Sequence, residues 1–216
     1  MPPPMSTRRP APPAWSREER AALRRLSTPR RVQDLLDQFA YRTEDDPAAP
    51  RRALAERRAH CFDGALLAAA ALRFHGHPPL LLDLRAVHDD DHVLAVFRVD
   101  GGWGAVAKSN FVGLRYREPI HRTLRELALS YFEPYYSLQR RRTLREYSTR
   151  PLDLRRFDGL RWEFDEAAAP AIAARLDDAA HRTLLTPAQE RRLTPLDARS
   201  WRAGMVGTDL AGVRRG

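Results

Sequence analysis

The chain holds one cysteine, Cys61, and thirty-one residues further on a histidine, His92, that opens an apolar run. A thiol becomes a strong nucleophile when it is held as thiolate. A helix N-terminus favours that state through its unpaired amides and dipole, and an imidazole favours it by taking the proton. Cys61 stands where a helical pattern begins and His92 where a strand pattern begins. A pair of this kind attacks an amide carbonyl, forms a thioester and passes the acyl group to water or to an amine. A single cysteine excludes an intrachain disulfide and a thiol-rich zinc site. Taken alone, it is most often a small buried hydrophobe.

The elements that must position this pair are legible on both sides. Cys61 to Phe74 carries Ala65, Leu66, Ala69 and Leu72 at helical intervals, with small residues that allow close packing, and Gly76 and Pro78 end it. Leu80 to Ala86 reads as a strand, Val87 to Asp91 as a charged loop, and His92 to Val99 as a second strand. Asp100-Gly101-Gly102 is a hairpin signal, and Trp103 to Phe111 returns as the next strand. Upstream, Ser16-Arg17-Glu18-Glu19 is a capping box, and Thr28-Pro29 starts a helix whose buried face is Val32, Leu35, Leu36 and Phe39. A short helix is expected around Leu54 to Arg58. Downstream, Pro119 is expected to open a helix through Leu124, Leu127 and Tyr131. Leu152 to Phe164 reads as a small strand pair around Asp158-Gly159, and Ala171 to Ala180 as a helix. Thr186 to Gln189 is another capping box, and the last ~15 residues are expected to fray.

The segment Cys61-Phe62-Asp63-Gly64-Ala65-Leu66-Leu67, its exit Leu72-Arg73-Phe74-His75-Gly76-His77-Pro78, the run His92 to Phe97 and the hairpin Asp100-Gly101-Gly102-Trp103 together resemble the transglutaminase-like superfamily, a branch of the papain-type cysteine fold. The resemblance covers about a quarter of the chain. It implies an α+β domain in which a Cys-bearing helix packs on a small antiparallel sheet, with Cys61 as nucleophile and His92 as its proton acceptor. The family's third residue is an Asp on the strand after the hairpin, and here that position falls on Ala107. Ser109 shares the strand face of Ala107, whereas Lys108 and Asn110 point away. Ser109 is therefore expected to hold the imidazole weakly. Asn110 replaces the Asp only if a bulge shifts the phase. Trp103 is the candidate substrate-binding aromatic, although a core or rim place is the commoner one for such a residue. Asp63 reads as a first-turn acid.

Three blocks follow: a Pro/Arg-rich leader at 1–15, expected to be disordered; a transglutaminase-like domain with a helical extension at 16–137; and an accessory region at 138–216. The net charge of +9 invites a nucleic-acid reading, but the basic residues are spread along the chain beside 28 acids. Of the 37 basic residues only Lys108 is lysine, a usage that looks like a GC-rich bacterial coding bias. The Arg140 to Arg145 cluster reads as a solvated helix face. His75, His77 and His88 lack a known ligand spacing, so no metal and no cofactor is expected. With no apolar run of membrane-spanning length and no secretory pattern, a cytoplasmic location is the expectation. The expected function is cysteine-dependent acyl transfer or amide hydrolysis on a protein or peptide. The alternative is a catalytically inactive member of the same fold acting as a binding module.

Overall fold

The computed structural model describes residues 14–44 and 46–210. In chain order the elements are α1 (Arg17–Arg25), α2 (Pro29–Asp37), β1 (Ala40–Tyr41), α3 (Pro50–Glu56), β2 (Arg58–Ala59), α4 (Cys61–Phe74), β3 (Leu80–Ala86), β4 (His92–Val99), β5 (Gly102–Val106), β6 (Arg117–His121), α5 (Leu124–Leu129), β7 (Leu144–Ser148), β8 (Leu152–Asp153), α6 (Ala169–Asp177), β9 (His181–Thr183), α7 (Pro187–Glu190) and α8 (Ala198–Gly204). This is a mixed α and β fold built on an antiparallel sheet.

Local chemistry accounts for most of the boundaries. The Ser16 hydroxyl accepts from the Glu19 amide and the Glu19 carboxylate accepts from the Ser16 amide, closing the capping box of α1. The Thr28 hydroxyl accepts the Arg31 amide and so caps α2, and Pro29 occupies its first turn. Asp100 and Gly101 both have positive φ, at 47° and 84°, as a two-residue hairpin turn between β4 and β5 requires.

The main sheet runs β6-β5-β4-β3-β7-β9, with β8 continuing the β7 side along the other half of β3. Strand alternation divides its residues between two cores. Leu81, Val93, Ala95 and Phe97 meet the apolar face of α4 together with α1 and α2. Leu82, Leu84, Leu94 and Val96 meet α5 and the rings of Tyr131 and Tyr135. The α4 helix is apolar nearly all round and buried from Asp63 to Leu72, which is why small residues fill it.

Several expectations are corrected. Pro119 lies in β6, an edge strand that tolerates its missing N–H, and the helix starts at Leu124 behind the Thr123 cap. Leu152–Asp153 is followed by a 3₁₀ segment, Leu154–Leu160, in place of a strand pair. The Arg140 to Arg145 stretch leads into β7 and carries no helix. Of the last ~15 residues, expected to fray, those described begin inside α8, capped by Asp197, and residues 211–216 lie outside the described residues. Residues beyond 137 supply β7, β8 and β9 to the same sheet as β3, so the boundary drawn there does not divide the fold. The leader falls outside the described residues except at its end, where Trp15 packs at a tilt against Phe164 and donates to Glu163. Among the described residues no helix is long and apolar enough to cross a membrane.

Candidate active site

Cys61 is the first residue of α4, and the residue before it supplies the cap. The His60 Nδ1 accepts from the amides of Phe62 and Asp63, at 3.1 and 3.4 Å. Asp63 closes the box from the other side and also accepts the Ala48 amide at 2.8 Å. Asp63 is thus a buried structural acid of the first turn, as its position suggested. The capping imidazole has no sequence signal of the usual Ser, Thr, Asp or Asn kind.

The loop before β4, which meets Cys61, is tied down from several sides. The Asp91 carboxylate accepts the Ala86 amide at 2.8 Å, Thr143 donates to Asp89 at 2.7 Å, and the Tyr135 hydroxyl donates to the Asp90 carbonyl at 2.5 Å. The Cys61 thiol donates to the Asp91 carbonyl at 3.8 Å, a long bond even for sulfur. Burial pushes the thiol up to about 11, against the pull of the Val93 amide, and the negative charge of Asp90 adds to the rise.

His92 is 4 % exposed and lies on the sheet face of Leu94 and Val96, opposite the face that α4 covers. Its ring packs edge-on against Tyr131 and Tyr135, with centroids 6.2 and 6.3 Å away. Its Nε2 stands 2.8 Å from the Leu114 carbonyl, an acceptor, so Nε2 carries the proton and Nδ1 is the basic nitrogen. Burial pushes the imidazole down to about 4; the Leu114 bond pulls the other way.

Cys61, His92, Ser109 and Asn110 all line one pocket, together with Tyr41 and the Asp89–Asp91 loop. The four residues singled out in the sequence are therefore brought together. Among the described residues, however, no hydrogen bond joins the thiol to the imidazole, and neither Ser109 nor Asn110 bonds to His92. The Ser109 hydroxyl accepts the Phe111 amide at 3.0 Å. The Asn110 carboxamide is engaged by Asp209, with its Nδ2 donating to the Asp209 carbonyl at 2.7 Å and its Oδ1 accepting the Asp209 amide at 2.8 Å.

The strand expected through Phe111 stops at Val106, so strand alternation does not extend to Ala107, Ser109 or Asn110. Gln33 takes both polar groups of Ala107, accepting its amide at 3.1 Å and donating to its carbonyl at 3.0 Å. Lys108 turns to the end of α2, where its Nζ bonds the carbonyls of Leu36 and Phe39 at 3.0 and 2.6 Å. It acts as a C-terminal helix cap. Trp103 stands apart from the pocket, half-buried on β5 with the Arg98 guanidinium 5.1 Å over its ring. It is a rim aromatic of the hairpin.

Sequence reasoning missed three contributors. The Leu114 carbonyl has no side-chain signature, Tyr135 carries no signal that ties it to the loop before β4, and Asp209 comes from a segment expected to fray. Among the described residues no group of three His, Cys, Asp or Glu is placed to hold a metal ion. No protein-family model matches the chain, and no curated protein matches it.

Proposed function

We propose that the protein catalyses thiol-dependent acyl transfer or amide hydrolysis on a peptide, with Cys61 as nucleophile and His92 as proton acceptor. One observation carries this reading: Cys61 and His92 line a common pocket, in which the Leu114 carbonyl fixes the His92 tautomer, the role that the resemblance gives to an Asp at the position of Ala107. A carbonyl fixes the tautomer as a carboxylate does, but it adds no charge to stabilise an imidazolium.

The step follows from the tautomer. As the carbonyl carbon of the substrate approaches, the Cys61 proton passes to His92 Nδ1 and the sulfur forms the C–S bond. The carbonyl oxygen takes the negative charge. The Cys61 amide, at the first position of α4, has no acceptor within the helix and serves as an oxyanion donor. The C–N bond then breaks, the imidazolium returns its proton to the leaving amine, and water or a second amine resolves the thioester.

The resting pair is neutral, with the thiol held up and the imidazole held down by burial. That favours a second reading, a non-catalytic member of the fold whose pocket binds a partner. Thiol reactivity separates the two. Replacing Cys61 by Ser abolishes amide turnover under the first reading, and full turnover in that variant would exclude it.

A further inference from the structure

Asn110 makes no hydrogen bond to the imidazole, and both ends of its carboxamide are engaged elsewhere. It bonds the N–H and the C=O of a single residue, Asp209, at 2.8 and 2.7 Å. A primary amide that meets the N–H and the C=O of one residue bonds that residue through its main chain alone, as a neighbouring strand does. The Thr208 hydroxyl adds a bond to the Asn110 carbonyl at 3.3 Å. The path of the chain makes this approach possible. Gly204 in α8 lies so close to the Tyr136 hydroxyl that a Cβ there would sit 1.5 Å from it, which seats the helix beside the pocket. Gly207, at φ +74°, then reverses the chain toward Asn110.

The place of this contact sets it apart from ordinary docking of a C-terminal segment. Val206, Gly207 and Asp209 line a cleft of about 400 Å³ whose other wall includes Tyr41, Ser109 and Asn110. Those three residues also line the pocket of Cys61 and His92. The segment therefore borders a cleft that adjoins the thiol pocket, and it is held there through its main chain.

We propose that Asn110 reads the main chain of an extended peptide substrate, and that Gly207–Asp209 occupies this place in the resting protein as an intramolecular strap. This rests on the reading of the Cys61 pocket as a peptide site and names how the peptide is held. Recognition through one N–H and one C=O is indifferent to side chains at that position, so the substrate class is extended peptide rather than one sequence.

The test uses the full chain in three forms: wild type, Asp209→Pro, and Asn110→Ala with Asp209→Pro. The proline removes the N–H that Asn110 Oδ1 accepts and so frees the strap without touching the reader. The probe is a fluorescein-labelled peptide of sequence Met-Val-Gly-Thr-Asp-Leu, followed by anisotropy. Asp209→Pro is expected to bind it at least about fivefold more tightly than wild type, and the double variant to lose that gain. Equal binding by wild type and Asp209→Pro, or a gain kept in the double variant, overturns the proposal. Circular dichroism melts of all three confirm that folded forms are compared. Because binding is read without turnover, an inert Cys61 would defeat the enzymatic reading and leave this result standing.

Discussion

His92 donates its Nε2–H to the carbonyl oxygen of Leu114 at 2.8 Å, and this one bond decides which ring nitrogen can take a proton from Cys61. It also anchors β4 to the segment after β5, since Leu114 is itself buried against Tyr131 and Tyr135. The imidazole is thus both a candidate catalytic base and a part of the core. Its protonation carries a stability cost as well as a chemical one.

That cost has a definite sign. The folded protein holds His92 near 4, below the ordinary 6.5, so the native state binds the proton less readily than the unfolded chain. The stabilisation is complete above the unfolded value and is lost as pH falls from about 6.5 toward 4, amounting to about 3 kcal/mol. Asp83 opposes this over part of the same range. Burial raises it to about 6 even with His181 at 2.9 Å, so its contribution grows as pH falls through 6. The difference between wild type and His92→Phe isolates the first effect. Urea denaturation from pH 7 to 4.5 is expected to show wild type losing stability relative to His92→Phe as pH falls. Parallel pH profiles would contradict a buried neutral imidazole.

Gln33 carries the backbone that leads into the pocket. Its carboxamide satisfies both the N–H and the C=O of Ala107, which is fully buried, and donates to Asp37 at 2.7 Å as well. Gln33→Leu keeps the volume and leaves two buried polar groups without partners. A loss of about 2–6 kcal/mol is expected in urea unfolding, at roughly 1–3 kcal/mol for each of the two orphaned groups. A loss under about 0.5 kcal/mol would mean that water or a backbone shift replaces Gln33.

Gly64 is where α4 meets the chain after β5. A Cβ at this position would sit 2.3 Å from the Lys108 Cβ, near the root of a side chain whose ammonium is tied to two carbonyls. In an open helix, Gly→Ala would stabilise by about 1 kcal/mol. Here overpacking wins, and Gly64→Ala is expected to lower stability by about 1–3 kcal/mol with a fall in Tm. An unchanged or higher Tm would show that Lys108 can retreat.

The central part of this fold was legible to the residue. The helix from Cys61, the strands from Leu80 and His92 and the intervening charged loop fall where the sequence puts them. Long apolar runs bounded by Gly, Pro and charge leave little choice there. Pro119 misled because proline opens helices and also suits edge strands, and only the sheet order tells which. The candidate site was legible as a set of side chains and illegible as a bonding pattern. The groups that fix His92 and Asn110 are main-chain atoms of Leu114 and Asp209, and main-chain atoms leave no mark in composition or spacing.

The central claim is that Cys61 and His92 work as a pair, and alkylation of Cys61 by iodoacetamide as a function of pH tests it most directly. The single cysteine makes the signal unambiguous. The resting thiol is pushed up to about 11, so simple thiolate reactivity would rise only at high pH. A working pair instead gives a rate plateau below the ordinary thiol range of ~8.5, and His92→Ala removes that plateau. Slow alkylation that rises only toward pH 11 in both proteins would contradict the account and leave Cys61 as an inert, half-buried thiol.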